Sequence, residues 1–534
     1  MAVLQSDGNP IVEMILKRHS KMEGRRENWT SHWEEVSRFV IPRKDDIYKS
    51  KANGEKKGNK IYTGHPVDTN EKLASALHGM LTNPSTNWFG LSTGDRKLDQ
   101  NVEVKAWLQH AAQRMIDTLN QSNFQTQIHE VYLDLGGFGT GVLLIEEDKD
   151  MVFRFLSRPI YCAFIEENHK GIVDTVSFES KKTLSQIVGE FGEDILDDEL
   201  KSELEGEDDK EYTVVHFVTP RTDRDVAKLD TTNKKFASYH ILKEKRIMLK
   251  ESGFDELPYV VPRWSKISGE VYGRSPAMKS LPDIKMLNAM QKATIEAAQK
   301  AVNPPLVAPD DGVLLPIRTA PGAINYKRAG TKDTIEPINS GARPDLGEAL
   351  IRSTEVKIEK AFFIDELQIP SNDRMTATEI MQRREEQLRK LGPILGRQHF
   401  ELLKPLINRI FGIMIKKDMF DAIPEILSGV DLEVRYTSQI AKAQRTADSD
   451  DFSRVMALVG PLAQAKPEML DNFDTDTILR DMMDKFGLPS EYLVSKTNMN
   501  KVRAERQQAM SQQAQLETAD KQADVAGKVS QIEG

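Results

Sequence analysis

Apolar positions recur at helical spacing through roughly the first 140 residues of the chain. Over residues 9–41, Trp29, Trp33, Val36 and Val40 fall at i, i+4, i+7 and i+11, and Pro42 stops the pattern. A second helix is expected after Asp68-Thr69, with Leu73, Leu77 and Leu81 on one face before Asn83-Pro84. Val104, Leu108, Ala111, Met115 and Leu119 make a third, and Phe124, Ile128, Val131 and Leu135 a fourth. Gly136-Gly137 predicts the exit of that fourth helix, because glycine accepts the left-handed conformation of a C-cap. The period then shortens to that of strands at residues 142–147, 152–157, 161–166 and 173–179. A helix over 184–191 follows, and further strands are expected at 212–218, 236–242 and 246–249. Residues 1–270 therefore read as an α+β body in a mainly helical chain.

Three helical patterns occupy residues 275–420, and two unlike interruptions divide them. The first helix, 276–302, opens on Ser275-Pro276, an N-cap followed by a proline at the first helical position. Its apolar seam is Met286, Met290, Ala293, Ala297 and Ala301, and Asn303-Pro304-Pro305 ends it after about 40 Å. The second helix, 345–363, is about 28 Å long by the same rise. Between them lies a proline- and glycine-studded excursion, 303–344, so the pair reads as a hairpin carrying a module on a stalk. A short loop, 368–375, leads to the third helix, which opens on the capping box Thr376-Ala377-Thr378-Glu379. Gly392-Pro393 and Pro405 should kink it, and Leu395, Leu402, Leu403, Leu406, Ile410 and Met414 give it a strong apolar face. Beyond Pro424 helices are expected at 451–462 and 476–486. Residues 501–534 are either a helix that needs neighbours or a frayed tail.

Charge changes the picture only once it is located. The net charge of −9 is set by residues 190–211, where twelve acidic residues face Lys201 and Lys210, and the rest of the chain is about neutral. That run reads as a solvated face. Residues 43–60 carry seven basic and three acidic residues, fitting an exposed loop or a contact with nucleic acid or an acidic partner. Cys162, the only cysteine, excludes a disulfide framework within the chain and any multi-cysteine metal knuckle, and reads as a buried small hydrophobe. MAVLQSDGNP lacks the pattern of a secretory signal, and no window approaches the ~20 apolar residues of a membrane span. Synthesis in the cytoplasm without membrane insertion is the expectation.

Catalytic motifs are missing. The run Gly136-Gly137-Phe138-Gly139-Thr140-Gly141 has the wrong spacing for a dinucleotide loop and sits between a helix and a strand, the reverse of the required order. No phosphate-binding G-x-x-x-x-G-K-[ST], H-E-x-x-H or G-x-S-x-G is present. An enzyme would need a site assembled from distant residues. No catalytic residue, cofactor or metal site is expected. Trp88-Phe89 and Phe362-Phe363 read as core or subunit-interface pairs rather than base-stacking platforms.

Several short segments, in order, carry a family resemblance. They begin with Leu73-Ala74-Ser75-Ala76-Leu77-His78-Gly79-Met80-Leu81, Asn83-Pro84 and Trp88-Phe89. Ser122-Asn123-Phe124, Tyr132-Leu133-Asp134-Leu135, Phe138-Gly139-Thr140-Gly141 and Tyr272-Gly273-Arg274-Ser275-Pro276 follow. Asn303-Pro304-Pro305, Thr376-Ala377-Thr378-Glu379, Leu391-Gly392-Pro393 and Ala443-Gln444-Arg445 complete the series. In this order they resemble the portal, or head-to-tail connector, proteins of short-tailed bacteriophages, over about residues 25–495. The resemblance implies a viral portal fold: a wing at 1–270, stem helices at 271–303 and 345–366, and a clip at 304–344. It further implies a channel loop at 367–376, a kinked wing helix at 377–430, a crown at 431–500 and a C-terminal tail at 501–534. The acidic segment 190–211 matches no family motif.

The implied assembly is a dodecameric ring at the unique portal vertex of the virion, between capsid and tail. Double-stranded DNA would pass through it without regard to sequence during packaging and ejection. The implied partners are other copies of the chain, the terminase motor, a tail adaptor, major capsid and scaffolding proteins, and internal core proteins, with a role in nucleating the capsid. A different virion ring or adaptor is the structural alternative.

A DNA conduit needs contact without capture, since each basic group neutralising a phosphate tightens binding. In the candidate loop Arg374 is the only basic residue, with Asn372, Asp373 and Met375 beside it. Arg374 would either ring the constriction and retain DNA or pair with Asp365, Glu366 or Glu379 and fix the loop. On the stem, Lys285, Lys292, Lys300, Arg352, Lys357 and Lys360 would face the lumen or the Glu296, Glu348, Glu355 and Glu359 of neighbours. In the clip, Leu306, Val307, Leu314, Leu315, Ile317 and Ile324 need apolar burial that one subunit does not supply, which predicts strand pairing across subunits.

Overall fold

The computed structural model describes residues 9–45, 61–99, 101–196, 198–205, 210–225, 230–307, 336–337, 344–367, 390–427, 433–436, 473–485 and 498–513, with single positions between them. In chain order come α1 (Pro10–Val40), α2 (His65–Leu81), β1 (Phe89–Ser92), α3 (Arg96–Asp99), α4 (Val102–Gln121) and α5 (Phe124–Phe138). Strands β2 (Leu143–Glu147), β3 (Phe153–Ser157), β4 (Ala163–Glu167) and β5 (Val173–Thr183) lead to α6 (Leu184–Phe191) and α7 (Asp198–Glu205). Then follow β6 (Glu211–Pro220), β7 (Phe236–Leu242), β8 (Ile247–Phe254), β9 (Tyr259–Val260) and α8 (Pro276–Val302). The last labelled elements are β10 (Leu306–Val307), β11 (Glu336–Pro337), α9 (Pro344–Ala361), α10 (Ile364–Leu367) and, far along the chain, β12 (Glu433–Tyr436). Two compact units result, Met1–Pro84 with Asp117–Asp418, and Ser85–Ile116 with Met419–Gly534.

In the first unit β4 to β8 form an antiparallel meander in sequence order, and β3-β2-β9 form a smaller antiparallel sheet. The meander is covered on both faces, as its alternation requires. Helix α1 is capped by Asn9, whose side chain accepts the Ile11 N–H at 3.0 Å. Its Val12, Ile15 and Met22 pack on Phe164, Val215, Phe217, Tyr239 and Ile241. Residues of the opposite parity, Tyr212, Val214, Leu242, Ile247 and Leu249, meet Leu184 and Ile187 of α6 and Leu196 and Leu200. Among the described residues the acidic segment therefore has two sides: Leu196 and Leu200 close the sheet, and Glu193, Asp194, Asp198 and Glu199 are exposed.

Two helix boundaries differ from expectation. Helix α2 begins at His65, with Pro66 in its first turn, a turn before the Asp68-Thr69 cap that the sequence suggests. Helix α5 runs through Gly136 and Gly137 and ends on Gly139, which takes φ +76° and donates its N–H to the Asp134 and Leu135 carbonyls. The two inner glycines serve packing: a Cβ on Gly136 would lie 2.0 Å from Asn70 Oδ1, and one on Gly137 2.3 Å from the Ile41 Cδ1. Trp33 of α1 closes the same junction, donating its indole N–H to the Phe138 carbonyl at 3.2 Å.

An imidazole pair, His216 buried and His240 half-buried, lies on the α6 face of the meander. His216 and His240 face each other across β6 and β7 with ring centroids 4.1 Å apart and planes 10° from parallel. His216 bonds Tyr259 Oη at 2.7 Å and Ser238 Oγ at 2.9 Å. Burial, and then the charge of His240, hold His216 well below the usual imidazole range, and burial with Lys250 and Lys182 pushes His240 down to about 3. An unfolded imidazole titrates near 6.5, so the unfolded chain binds more protons from there down. The stability these rings contribute is complete above about pH 6.5 and is lost as pH falls toward 3, by at most about 1.4 kcal/mol per pH unit per ring. The urea midpoint of the chain should drop between pH 6.5 and 4, and less steeply for His240→Phe; equal slopes in the two chains would refute this origin.

Helix 390–398 passes through Gly392-Pro393 and widens into a π-turn, His399–Leu403, before continuing as Lys404–Lys416. The expected interruption near Pro405 thus takes the form of a bulge, because the proline has no N–H to give its preceding turn. Leu395, Leu402, Leu403, Leu406, Ile410 and Met414 are all buried, as their spacing suggests. In the second unit β1 pairs antiparallel with β12, Phe89 opposite Tyr436 and Ser92 opposite Glu433. Trp88 and Phe89 are buried there edge to face, their centroids 4.7 Å apart.

Candidate functional site

The hairpin of α8 and α9 is the feature with a mechanical reading, and its mounting can be built residue by residue. The Ser275 Oγ accepts the Met278 N–H at 2.9 Å to cap α8 and donates to the Gly137 carbonyl at 2.7 Å. Gly139 and Gly273 come into direct backbone contact: a Cβ on Gly273 would sit 2.2 Å from the Gly139 oxygen, and one on Gly139 2.5 Å from the Gly273 oxygen. The Gly273 N–H donates to Thr140 Oγ1 at 2.9 Å, and the Trp264 N–H to the Gly139 carbonyl at 2.8 Å. The glycine run that resembles a failed nucleotide loop is thus the socket of the stalk. Two segments of the family pattern, 138–141 and 272–276, are its two halves.

Beside the socket lies Arg263, 1% exposed. Its Nε and Nη2 engage both carboxylate oxygens of Glu401 at 2.9 and 2.8 Å, Nη1 meets Glu167, and the Val271 and Gly171 carbonyls accept at 3.0 and 3.1 Å. The Arg263 N–H also donates to Glu401, and Gln398 Nε2 donates to the Arg263 carbonyl at 2.8 Å. Burial alone would lower the Arg263 pKa; the hydrogen-bonded Glu401 and Glu167 carboxylates outweigh it and raise the value. Glu401 stands in the π-turn, so this clamp ties the approach to α8 onto the helix that follows residue 390.

The stem cations divide into two groups. Lys285 bonds Glu35 of α1 at 2.8 Å, and Lys292 lies 3.8 Å from Glu296 and 5.6 Å from the Tyr62 ring centre. The Tyr62 N–H donates to Asn288 Oδ1 at 2.8 Å, so the end of the basic loop braces α8. Arg352 pairs with Glu348 one turn away at 2.8 Å. These three find partners within their own chain, whereas Lys300, Lys357 and Lys360 are exposed. Glu359 lies 3.8 Å from His65 of α2.

Burial along the hairpin is uneven. Ala277, Leu281, Ile284 and Leu287 are buried in the first half of α8, as are Ile351, Thr354 and Ile358 of α9. Of the expected α8 seam, Met290 and Ala297 are half-buried and Met286, Ala293 and Ala301 exposed. The hairpin also exposes Ile295, Val302, Leu350 and Val356.

In the excursion Leu306 and Val307 pair antiparallel with Pro337 and Glu336 of the same chain. The two segments lie near the two ends of the excursion, where the hairpin brings them together. Val307 and Ile324 are exposed. Leu314, Leu315, Ile317 and the loop residues Asn372, Asp373, Arg374 and Met375 lie outside the described residues. Of the carboxylates considered for Arg374, Glu366 receives Lys390 at 3.2 Å.

Other candidates resolve simply. Arg43 and Lys44, at the start of the basic run, pair with Glu130, and Lys44 also reaches the buried Asp134. Burial pushes the Cys162 thiol up to about 11, which suits an inert residue. Phe362 is buried. Among the described residues no group of ligand side chains could hold a metal ion, and no helix is long and apolar enough to cross a membrane. The sequence reading missed Gly139, Gly273, Arg263 and Glu401 as parts of the mounting; for the glycines their place in the family pattern is the available signal, and for the ion pair there is none.

Comparison with known proteins gives consistent matches. Residues 12–494 match the model of the family described as bacteriophage head to tail connecting protein. A "Probable portal protein" of Bordetella phage BPP-1 is 33% identical, over 98% of this chain and 96% of its own length. The "Portal protein" of Salmonella phage epsilon15 is 32% identical, over 94% of this chain and 92% of its own. Among solved structures, the neck of an empty gene transfer agent particle computed with C6 symmetry aligns at a TM-score of 0.39 and 11% identity, covering 79% of this chain and 95% of that one. A TM-score that low carries no weight for the fold.

Proposed function

The chain belongs to the bacteriophage head to tail connecting protein family, and on that premise we propose that its copies close into a dodecameric ring at the portal vertex. The ring is the conduit for DNA during packaging and ejection, a platform for the terminase motor and then the tail, and a nucleus for capsid assembly. In this reading residues 1–270 and 377–430 are wing, α8 and α9 with their ends are stem, 304–344 is clip, 431–500 is crown, and 501–534 is a tail. Chemistry at a fixed active site plays no part.

The observation that supports the ring best is the hairpin's uncovered apolar surface. Ile295 and Val302 of α8 and Leu350 and Val356 of α9 are exposed on one chain, at ~25 cal/mol per Å² of apolar surface left in water. A neighbouring hairpin supplies the missing cover, and Val307 and Ile324 give the clip the same need. Lys300, Lys357 and Lys360 are then the stem cations left for the lumen or for neighbours. Arg374, with Asn372, Asp373 and Met375, forms the constriction.

Negative-stain images of the purified chain should show rings with an axial hole, and a field of compact monomers would sink the proposal. Virions carrying Arg374→Ala should lose packaged DNA faster than wild type on mild heating. Equal retention would leave Arg374 a loop-fixing residue.

A further inference from the structure

The π-turn and the buried clamp occupy the same few residues, and the coincidence has a mechanical meaning. A π-turn holds one residue more than the α-helical turn it replaces, and such bulges concentrate at functional positions. Here the Lys404 N–H reaches back five residues to the His399 carbonyl, and Pro405 follows at once. The missing N–H of the proline keeps the bulge from moving toward the C-terminus. Toward the N-terminus the obstacle is Glu401. Its carboxylate is shared between Arg263, at 2.8 Å, and Arg397 one turn back in its own helix, at 2.9 Å.

The contacts continue from Arg263 to the base of α8. Arg263 forms an antiparallel bridge with Thr140, and Ser265 one with Arg274, whose N–H donates to the Ser265 carbonyl at 2.7 Å. The next residue is Ser275, the cap of α8. An unbroken path of hydrogen bonds and short backbone steps therefore joins the stalk's socket to the bulge.

We infer that the Arg263–Glu401 pair is a latch that holds the π-turn in place and couples the seating of α8 to the rotational setting of helix 390–398. With Glu401 on Arg263 the bulge stays at His399–Leu403. With Glu401 on Arg397 alone, the extra residue is free to pass toward residue 390, turning the segment it crosses by about 100° and shifting it by about 1.5 Å. Phe400, exposed on the outer wall of the turn, has no buried seat to lose in that move, whereas Leu391, Leu395 and Gln398 would leave theirs, which makes the shifted setting the minor one. The latch is a property of one chain and does not depend on ring formation.

The test is hydrogen exchange read by mass spectrometry on the full chain, with Ser275→Ala to loosen the socket and Glu401→Gln to open the latch without changing its shape. With Glu401 intact, Ser275→Ala should speed exchange over residues 390–403, and Glu401→Gln alone should speed it there by about tenfold or more. In the double variant Ser275→Ala should add nothing further at 390–403, while the strands of residues 211–254 exchange as in wild type. Effects that simply add, or a Ser275→Ala chain whose 390–403 exchange is unchanged, would overturn the latch.

Discussion

Gly139→Val and Gly273→Val are each expected to leave little folded protein, with an apparent loss of about 3–6 kcal/mol from combined strain and overpacking. At Gly139 two costs coincide. The backbone sits at φ +76°, where a β-branched side chain is strained, and the new Cβ would stand 2.5 Å from a carbonyl oxygen rather than against a side chain able to turn away. At Gly273 the approach is closer still, 2.2 Å to the Gly139 oxygen. Relief requires the strand-like run 262–264 or the start of α8 to lift off α5, which breaks the Trp264–Gly139 and Ser275–Gly137 hydrogen bonds as well. Urea unfolding followed by helical circular dichroism measures the loss. Gly24→Ala is the control: it lies in the middle of α1 with nothing within 4 Å of the added Cβ, and should stabilise by about 0.5–1 kcal/mol. Wild-type midpoints for both socket variants would show that the backbones can separate at little cost.

Arg263→Ala is expected to cost about 3 kcal/mol, the low end for breaking a buried ion pair. The reason for the low end is local. The substitution removes the bidentate partner of Glu401 and one partner of Glu167, but Arg397 still reaches Glu401 at 2.9 Å and Lys266 still reaches Glu167. Neither carboxylate is left wholly without a cation. Adding Glu401→Gln in the Arg263→Ala background should recover part of the loss, since the neutral amide no longer suffers from the missing guanidinium. A double-mutant cycle on urea midpoints reads this directly. Strictly additive losses would mean that Arg263 acts through its backbone-carbonyl contacts and not through Glu401.

The parts of this fold legible in the sequence are those with a local cause. The Trp33, Val36 and Val40 stripe of α1, the cap of α8 at Ser275-Pro276 and the alternation of the meander each depend on residues close in the chain, and the structure places all of them where their spacing suggests. Gly136-Gly137 shows where such reading stops. A helix exit and a helix interior pressed against Asn70 and Ile41 ask for the same residue, and only the partner from another helix decides between them. The clamp of Arg263 on Glu401 joins positions 138 residues apart, with no periodic signature at either end. The acidic run shows the converse: counting charge identified its wet side and missed Leu196 and Leu200 beneath it. The candidate loop around Arg374 lies outside the described residues, so its assignment rests on family order and on the scarcity of basic groups there.

The pairing of β1 with β12 sets the order in which this chain can finish. Ser92 and Glu433 are partners about 340 residues apart, and at ~5–20 residues per second a ribosome needs roughly 20–70 s to deliver the second after the first. For all that time Phe89–Ser92 is a strand edge without its mate, while the residues of the meander and of the socket of α8 are delivered within the same interval. The β1–β12 pair of the second unit is thus completed late in synthesis. A chain cut short between residues 418 and 433 keeps every residue of α1, the meander, α8 and α9 and leaves Phe89–Ser92 without its partner strand.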